Sequence, residues 1–386
     1  MTALGAQAPR IVLLHEGRAG DDRQLGNLAE ALGRPYEAVP FRVSIGRVVL
    51  DRVRDALGIG GPVPGGHAWG PPWPDLVLAT GGRAVSAAVR LRRLSGGRTR
   101  IVFLGRPWAP LGLFDLVITT PQYRLPAAAN VVQNLLPLNA IPAERLAREA
   151  ERVAPSVAEL PRPHIAVLLG GTSGSYRLTP DAARDIARRA SARAHALGGS
   201  LLVTSSPRTP AAALDAFAAA LDAPARVYRW KPDDPDNPLA GYVGLAERLI
   251  VTGESASMLA EACRTGKAVE VVRLPRRRRT RLLTAPFGGR AAPLVRRLAP
   301  LGRWLAYHGV VTPPRDLERL HAALYRHAQP ADAEGTAVRL TDDGDRQRAV
   351  AAVEALLAAQ GETAYIATER RGGATARRAR RQQQSG

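Results

Sequence analysis

Two hydroxyl-bearing turns and one histidine carry the chemistry this chain could perform. Ser255, Ala256 and Ser257 follow Thr252-Gly253, which break the apolar run Leu249–Val251, and apolar residues then recur at Met258, Leu259, Ala262 and Cys263. The pattern predicts a strand, a tight turn and a helix. A helix starting there presents unpaired backbone N–H groups and the positive end of its dipole, and the serines add hydroxyl donors. The turn therefore suits a phosphate or pyrophosphate. Glu261 stands about 9 Å beyond Ser255 at ~1.5 Å per helical residue, within reach of the ribose of a nucleotide whose phosphates lie on the turn. The plainer alternative makes Ser255 an ordinary N-cap and Glu261 a solvated charge.

Two further turns follow apolar runs in the same part of the chain. Ile165–Leu169 leads into Gly170-Gly171-Thr172-Ser173-Gly174-Ser175-Tyr176, and Leu201–Thr204 ends in Ser205-Ser206-Pro207-Arg208. Glycine permits close backbone approach, and the hydroxyls can donate to phosphate oxygens. Neither GxxxxGK[ST] nor GxGxxG is present at the first of these turns, which disfavours P-loop hydrolysis and dinucleotide-dependent oxidoreduction. In the first half, Ile11–Leu14 is followed by His15, Glu16, Gly17, Arg18, Ala19, Gly20, Asp21, Asp22 and Arg23. His15 is the first candidate for a general base toward an acceptor hydroxyl, with Glu16 and Asp21 behind it, and a purely structural histidine is the alternative. No DxD motif occupies a strand end, and Asp233-Asp234 fall within the loop PDDPDNP. The expected chemistry is metal-independent and uses no cofactor.

The elements that must position these residues are strands and helices in alternation. Ile11–Leu14, Asp75–Ala79, Ile101–Leu104 and Leu116–Thr119 are short apolar runs of the kind buried on both faces of a parallel sheet. Gln24–Leu32, Ile45–Leu57 and Arg83–Leu94 have helical spacing between them, and Gly58–Pro74 is a Gly/Pro-rich loop. Ala143–Val153 is a charged helix, and the prolines of Ala154–Pro163 mark a connection between domains. A second α/β series follows, with a helix at Asp181–Ala196 and a strand at Glu270–Leu274. Later helices are predicted near Pro293–Leu301, over Arg315–His327 and over Arg346–Gln360. In open α/β sheets ligands sit beyond the carboxyl ends of the strands, where all the residues singled out above fall.

Composition narrows the class. A length of 386 residues suggests two domains, and 46% hydrophobic residues provide a sizeable interior. One cysteine, Cys263, excludes an intramolecular disulfide framework or a cysteine-rich zinc site. MTALGAQAPR lacks the apolar core of a signal peptide, and no segment approaches the ~20 apolar residues of a membrane span. A cytoplasmic location is the expectation. The net charge of +20 attracts anions without choosing among them. Arg276–Arg279 with Arg281, and the basic tail, would suit adhesion to the anionic inner face of a membrane. No recognition-helix or aromatic RNA-binding pattern accompanies the charge, so no specific nucleic-acid partner is expected.

GGTSGSY at Gly170–Tyr176, SSPRT at Ser205–Thr209, Asn237–Val269 and HEGRAGDDRQ at His15–Gln24 together resemble bacterial homologues of the plant mitochondrial-fission "elongated mitochondria" family. The resemblance spans roughly Ile11 to Leu274, with Glu254 where that family often has Asp. The family is similar to GT-B glycosyltransferases, which implies an α/β fold of two Rossmann-like domains facing across a cleft. By that likeness, residues 1–142 form an acceptor-side domain, 143–163 a linker and 164–340 a domain binding a nucleotide-diphosphate sugar. Residues 341–362 would form a helix crossing back to the first domain, and 363–386 a disordered basic tail. The likeness places the diphosphate at Gly253, Ser255, Ala256 and Ser257, with Gly171, Thr172, Ser173, Ser175, Ser205 and Arg208 nearby and Glu261 on the ribose. Transfer of the sugar to an acceptor is the implied activity. A non-catalytic membrane-associated adaptor and a sugar-nucleotide epimerase are the alternatives on the same scaffold.

Overall fold

The computed structural model describes residues 8–40, 69–82, 84–174, 176–276, 301, 304–305, 307–309, 315–333, 335–342 and 344–359. The helices expected at Ile45–Leu57 and Pro293–Leu301, most of the Gly58–Pro74 loop, Arg83, Ser175, the arginines after Arg276 and the tail lie outside them.

In the first half the apolar runs pair as a wholly parallel sheet. Its strands are β1 (Ile11–His15), β2 (Tyr36–Pro40), β3 (Leu76–Thr80), β4 (Arg100–Leu104), β5 (Leu116–Thr119) and β6 (Val131–Gln133), in the order β2-β1-β3-β4-β5-β6. Alternate residues of β1 enter opposite layers. Ile11 and Leu13 pack with Leu25, Leu28 and Ala29 of α1 (Ala19–Ala31). Val12 and Leu14 pack with Ala84, Val85 and Ala88 of α2 (Ala84–Leu94). Burial of each such leucine is worth about 1.5–3 kcal/mol, so the strand's register is firmly set.

The second half begins at α3 (Ala143–Val153). It continues through β7 (His164–Leu168), α4 (Pro180–Leu197), β8 (Ser200–Thr204), α5 (Ala211–Ala219), β9 (Ala225–Tyr228), α6 (Leu239–Leu245), β10 (Arg248–Thr252), α7 (Ala256–Cys263) and β11 (Ala268–Val272). After these come α8 (Leu317–His327), β12 (Gln329–Pro330), β13 (Ala337–Arg339) and a last helix α9 at 345–359. The sheet runs β12-β13-β11-β10-β7-β8-β9, parallel except where β13 meets β11 and β12. Thr179 caps α4 by accepting from the Ala182 N–H, and Gly198, at φ 63°, ends it. α3 packs on the second half, where Val153 and Val157 meet Leu202 and Tyr242. α9 returns to the first half, its Ala349 and Val353 sharing a core with Ile11 and Leu25.

Strand order reverses between β7 and β10, the kind of crevice in which α/β proteins bind ligands. The carboxyl edges of the two sheets meet there. Arg23 of α1 pairs with Glu261 of α7 at 2.6 Å, and a Cβ on Gly20 would stand 2.9 Å from Ser257 Oγ. Two Rossmann-like halves facing edge to edge constitute the GT-B-like architecture. Among the described residues no helix is long and apolar enough to cross a membrane.

Candidate functional site

The turns after β7 and β10 are adjacent, and their backbones are joined by side chains. The Gly170 N–H donates to Thr252 Oγ1 (2.7 Å) and the Gly171 N–H to Glu254 Oε1 (2.6 Å). A Cβ on Gly170 would overlap that same carboxylate oxygen, so only glycine lets the two turns approach this closely. Glu254 is buried, and desolvation raises its carboxyl above the ordinary range against the opposing pull of the Gly171 amide, the Thr252 hydroxyl and the charge of Arg208.

This geometry limits what the first turn can offer a ligand. Besides Gly170 and Gly171, the Thr172 N–H donates to Arg208 O (3.2 Å) and the Ser173 N–H to Tyr176 O (3.1 Å). Buried amides find internal partners where the fold offers them, and here they do so before any ligand arrives. Gly171 therefore shapes the crevice without lending it a donor, and Thr172 and Ser173 can contribute only their hydroxyls. Ser205 is similarly engaged, its Oγ accepting the Trp230 N–H at 2.8 Å and standing 3.4 Å from Tyr228 O. Thr209 bonds Leu169 O (3.0 Å) and Gly170 O, fastening the turn after β8 to the turn after β7. The exposed Arg208 is carried on that fastened turn.

The head of α7 is different. Ser255 occupies the N-cap position with φ −108° and ψ 94°, yet its side chain makes no capping bond, and the first turn holds no acidic residue. The first amides of α7 thus receive neither of the usual protein acceptors. Ser255 is buried and Ser257 half-buried, and Ala256 begins the helix between them. Gly253 is locked behind the turn: its N–H donates to Val272 O (2.8 Å), and its carbonyl lies 2.8 Å from His321 Nε2. Glu261 is not the solvated charge of the plainer alternative. It is 6% exposed and paired with Arg23 across the two halves.

On the facing edge, His15 ends β1 with its Nδ1 3.9 Å from Asp22 Oδ1, too far for a hydrogen bond but close enough to orient the ring. Its Nε2 is buried and makes no hydrogen bond within the protein. Asp22 has a raised pKa, first through burial, then through repulsion from Asp21, with His15 and the Glu16 and Gly17 amides opposing. Asp22, rather than the Asp21 singled out in the sequence, is the carboxylate that the fold sets beside His15. Asp21 instead faces Arg18 at 4.0 Å. Glu16 has a side chain only 2% exposed and accepts from the Ala84 N–H (2.9 Å) at the head of α2, so it serves as that helix's cap. A helix start at Ala19 turns Asp22, rather than Asp21, back toward the strand end. That start was the signal to use.

A family model described as Mitochondrial fission ELM1 matches residues 19–286. The Mitochondrial fission protein ELM1 of Arabidopsis thaliana is 29% identical over 221 residues, which cover 52% of this chain and 51% of that protein. The chain thus spans about half the length of the curated relative it matches. Among solved structures, UDP-N-acetylglucosamine 2-epimerase from Rickettsia bellii is similar at a TM-score of 0.43 and 13% identity, covering 93% of this chain and 98% of that one. CalG4, the calicheamicin glycosyltransferase, is similar at 0.39 and 12%, covering 92% and 99%. On the match of its own sequence over 268 residues, from 19 to 286, the chain belongs to the family described as Mitochondrial fission ELM1.

Proposed function

We propose that this chain is a glycosyltransferase that takes a nucleotide-diphosphate sugar at the head of α7 and passes the sugar to an acceptor hydroxyl held by the first half. The uncapped α7 head carries the reading. Its amides and the Ser255 and Ser257 hydroxyls receive the diphosphate, and Arg208 supplies positive charge from the turn after β8. The acceptor oxygen attacks the anomeric carbon as the bond from that carbon to the diphosphate oxygen breaks. His15 Nε2 takes the acceptor's proton, and Asp22 steadies the resulting imidazolium. Helix amides and Arg208 meet the charge on the leaving diphosphate without a metal.

Calorimetry against a panel of nucleoside diphosphates, followed by product analysis with each sugar donor, tests this reading. His15→Ala is expected to lower kcat by 10²–10⁴-fold, the usual contribution of a general base, with donor affinity unchanged. Unaltered turnover removes His15 from the chemistry. The adaptor is the second reading, favoured by the net charge of +20 and by the Glu254 carboxylate lodged in the crevice. Binding to anionic vesicles without nucleotide binding would support it, whereas sugar inversion without an acceptor would point to an epimerase.

A further inference from the structure

The turn at the head of α7 is held from behind by a residue of α8. His321 is 1% exposed, and its Nε2 lies 2.8 Å from the carbonyl oxygen of Gly253, a residue 68 positions earlier in the chain. A carbonyl oxygen can only accept, so Nε2 carries the proton. Nδ1 is buried with no hydrogen-bond partner, and a proton there would be a stranded donor costing about 1–3 kcal/mol. The ring is therefore the neutral Nε2–H tautomer. Burial first, and then the charges of Arg273 and Arg276, hold its pKa below the ordinary histidine value, against the Gly253 carbonyl and the charge of Glu318.

This contact decides which way one peptide of the turn faces. The Gly253 N–H is tied to Val272 O at 2.8 Å, but the peptide plane that follows Gly253 can turn at little steric cost, because that residue has no Cβ. The Gly253–Glu254 bond is trans, which sets its carbonyl and its N–H in opposite directions. With the carbonyl drawn back to His321, the Glu254 N–H is directed at that residue's own carboxylate, where it opposes the rise in pKa caused by burial. A flip would turn the carbonyl oxygen toward that carboxylate, at the entrance to α7. The fit is close: a Cβ on Gly253 would stand 2.6 Å from His321 Cε1 and 3.0 Å from Val271 Cγ1. We propose that His321 is a positioning residue for the head of α7, its Nε2–H holding the Gly253 carbonyl out of the diphosphate position so that the turn is organised before the ligand arrives. The inference rests on the diphosphate site assigned above to that helix.

Calorimetry of the full chain with ADP, GDP, CDP and UDP, on the wild type, His321→Leu and His321→Gln, tests it. Leucine fills much of the space without a donor, whereas glutamine keeps an N–H for the Gly253 carbonyl. His321→Leu should weaken binding of the nucleotide that the wild type takes by about tenfold, the equivalent of one hydrogen bond, and His321→Gln should recover most of that loss. Thermal melts check that both variants are folded. Nitrogen NMR of the imidazoles, with the His321 signal assigned as the one missing from His321→Gln, should show a neutral Nε2–H ring at pH 7. Equal nucleotide affinity in His321→Leu and the wild type, no recovery in His321→Gln, or an Nδ1–H ring would each overturn the role of His321 while leaving the diphosphate site in place. Absence of nucleotide binding by the wild type would overturn that site, and this role with it.

Discussion

Replacing Asp345 by alanine probes how the end of the chain is fastened to the first sheet. The side chain is fully buried, and its two oxygens accept the Leu135 N–H (2.7 Å) and the Leu136 N–H (2.8 Å). Those leucines are themselves 8% and 0% exposed, so neither amide can turn to water. Each stranded donor costs about 1–3 kcal/mol, which puts the pair near ~4 kcal/mol. The arginines on Asp345 add less. Arg264 keeps the carbonyls of Pro137 and Asn139, and Arg348 is half exposed. A loss of ~4 kcal/mol is a large part of the ~5–15 kcal/mol that holds a typical domain together. Asp345→Asn retains one acceptor and should cost about half as much. Urea unfolding followed by tryptophan fluorescence measures both. A loss under ~1 kcal/mol for alanine, or equal losses for the two variants, would refute the reasoning.

Other expectations follow from the site. Glu254→Gln keeps an acceptor for the Gly171 amide and places no negative charge beside the proposed diphosphate, so nucleoside-diphosphate affinity should not fall; calorimetry at pH 7 showing weaker binding would contradict this. Asp316 governs an acid limb of stability. Burial works to raise its carboxyl, but hydrogen bonds and charge from Arg124 and Arg276 outweigh it and hold the folded-state pKa below the ordinary value. A depressed carboxylate contributes stability that is present above the unfolded value of ~3.9 and lost as pH falls through the folded one. The gap in urea midpoint between the wild type and Asp316→Asn should therefore narrow below about pH 4. A gap that stays constant would exclude that role.

Much of the fold was legible because strands buried on both faces read as continuous apolar runs, as in Leu76–Thr80 and Arg248–Thr252. Edge elements were harder. β2, Tyr-Glu-Ala-Val-Pro, buries only Val39, and β6 has three residues, so neither carries a run long enough to recognise. α6, Leu-Ala-Gly-Tyr-Val-Gly-Leu, combines a short length with two glycines, and propensity argues against it. In the site, glycines and serines after strands located the turns, since local backbone needs are written locally. Partners were not. Arg23 and Glu261 are 238 positions apart, and Gly171 and Glu254 are 83 apart, so nothing near either residue announces the other. Tertiary packing decided which amides were already engaged.

The head of α7 can be closed by one substitution. Ser255→Asp places a carboxylate at an N-cap position that now makes no bond, where it should satisfy the first-turn amides and stabilise the helix by about 0.5–1 kcal/mol. Calorimetric titration of the wild type and this variant with nucleoside diphosphates is the direct measurement. Saturable binding of one nucleotide by the wild type, lost in a variant that melts no earlier, is the predicted result. Equal binding by both proteins, or by neither, would contradict a diphosphate site at this helix.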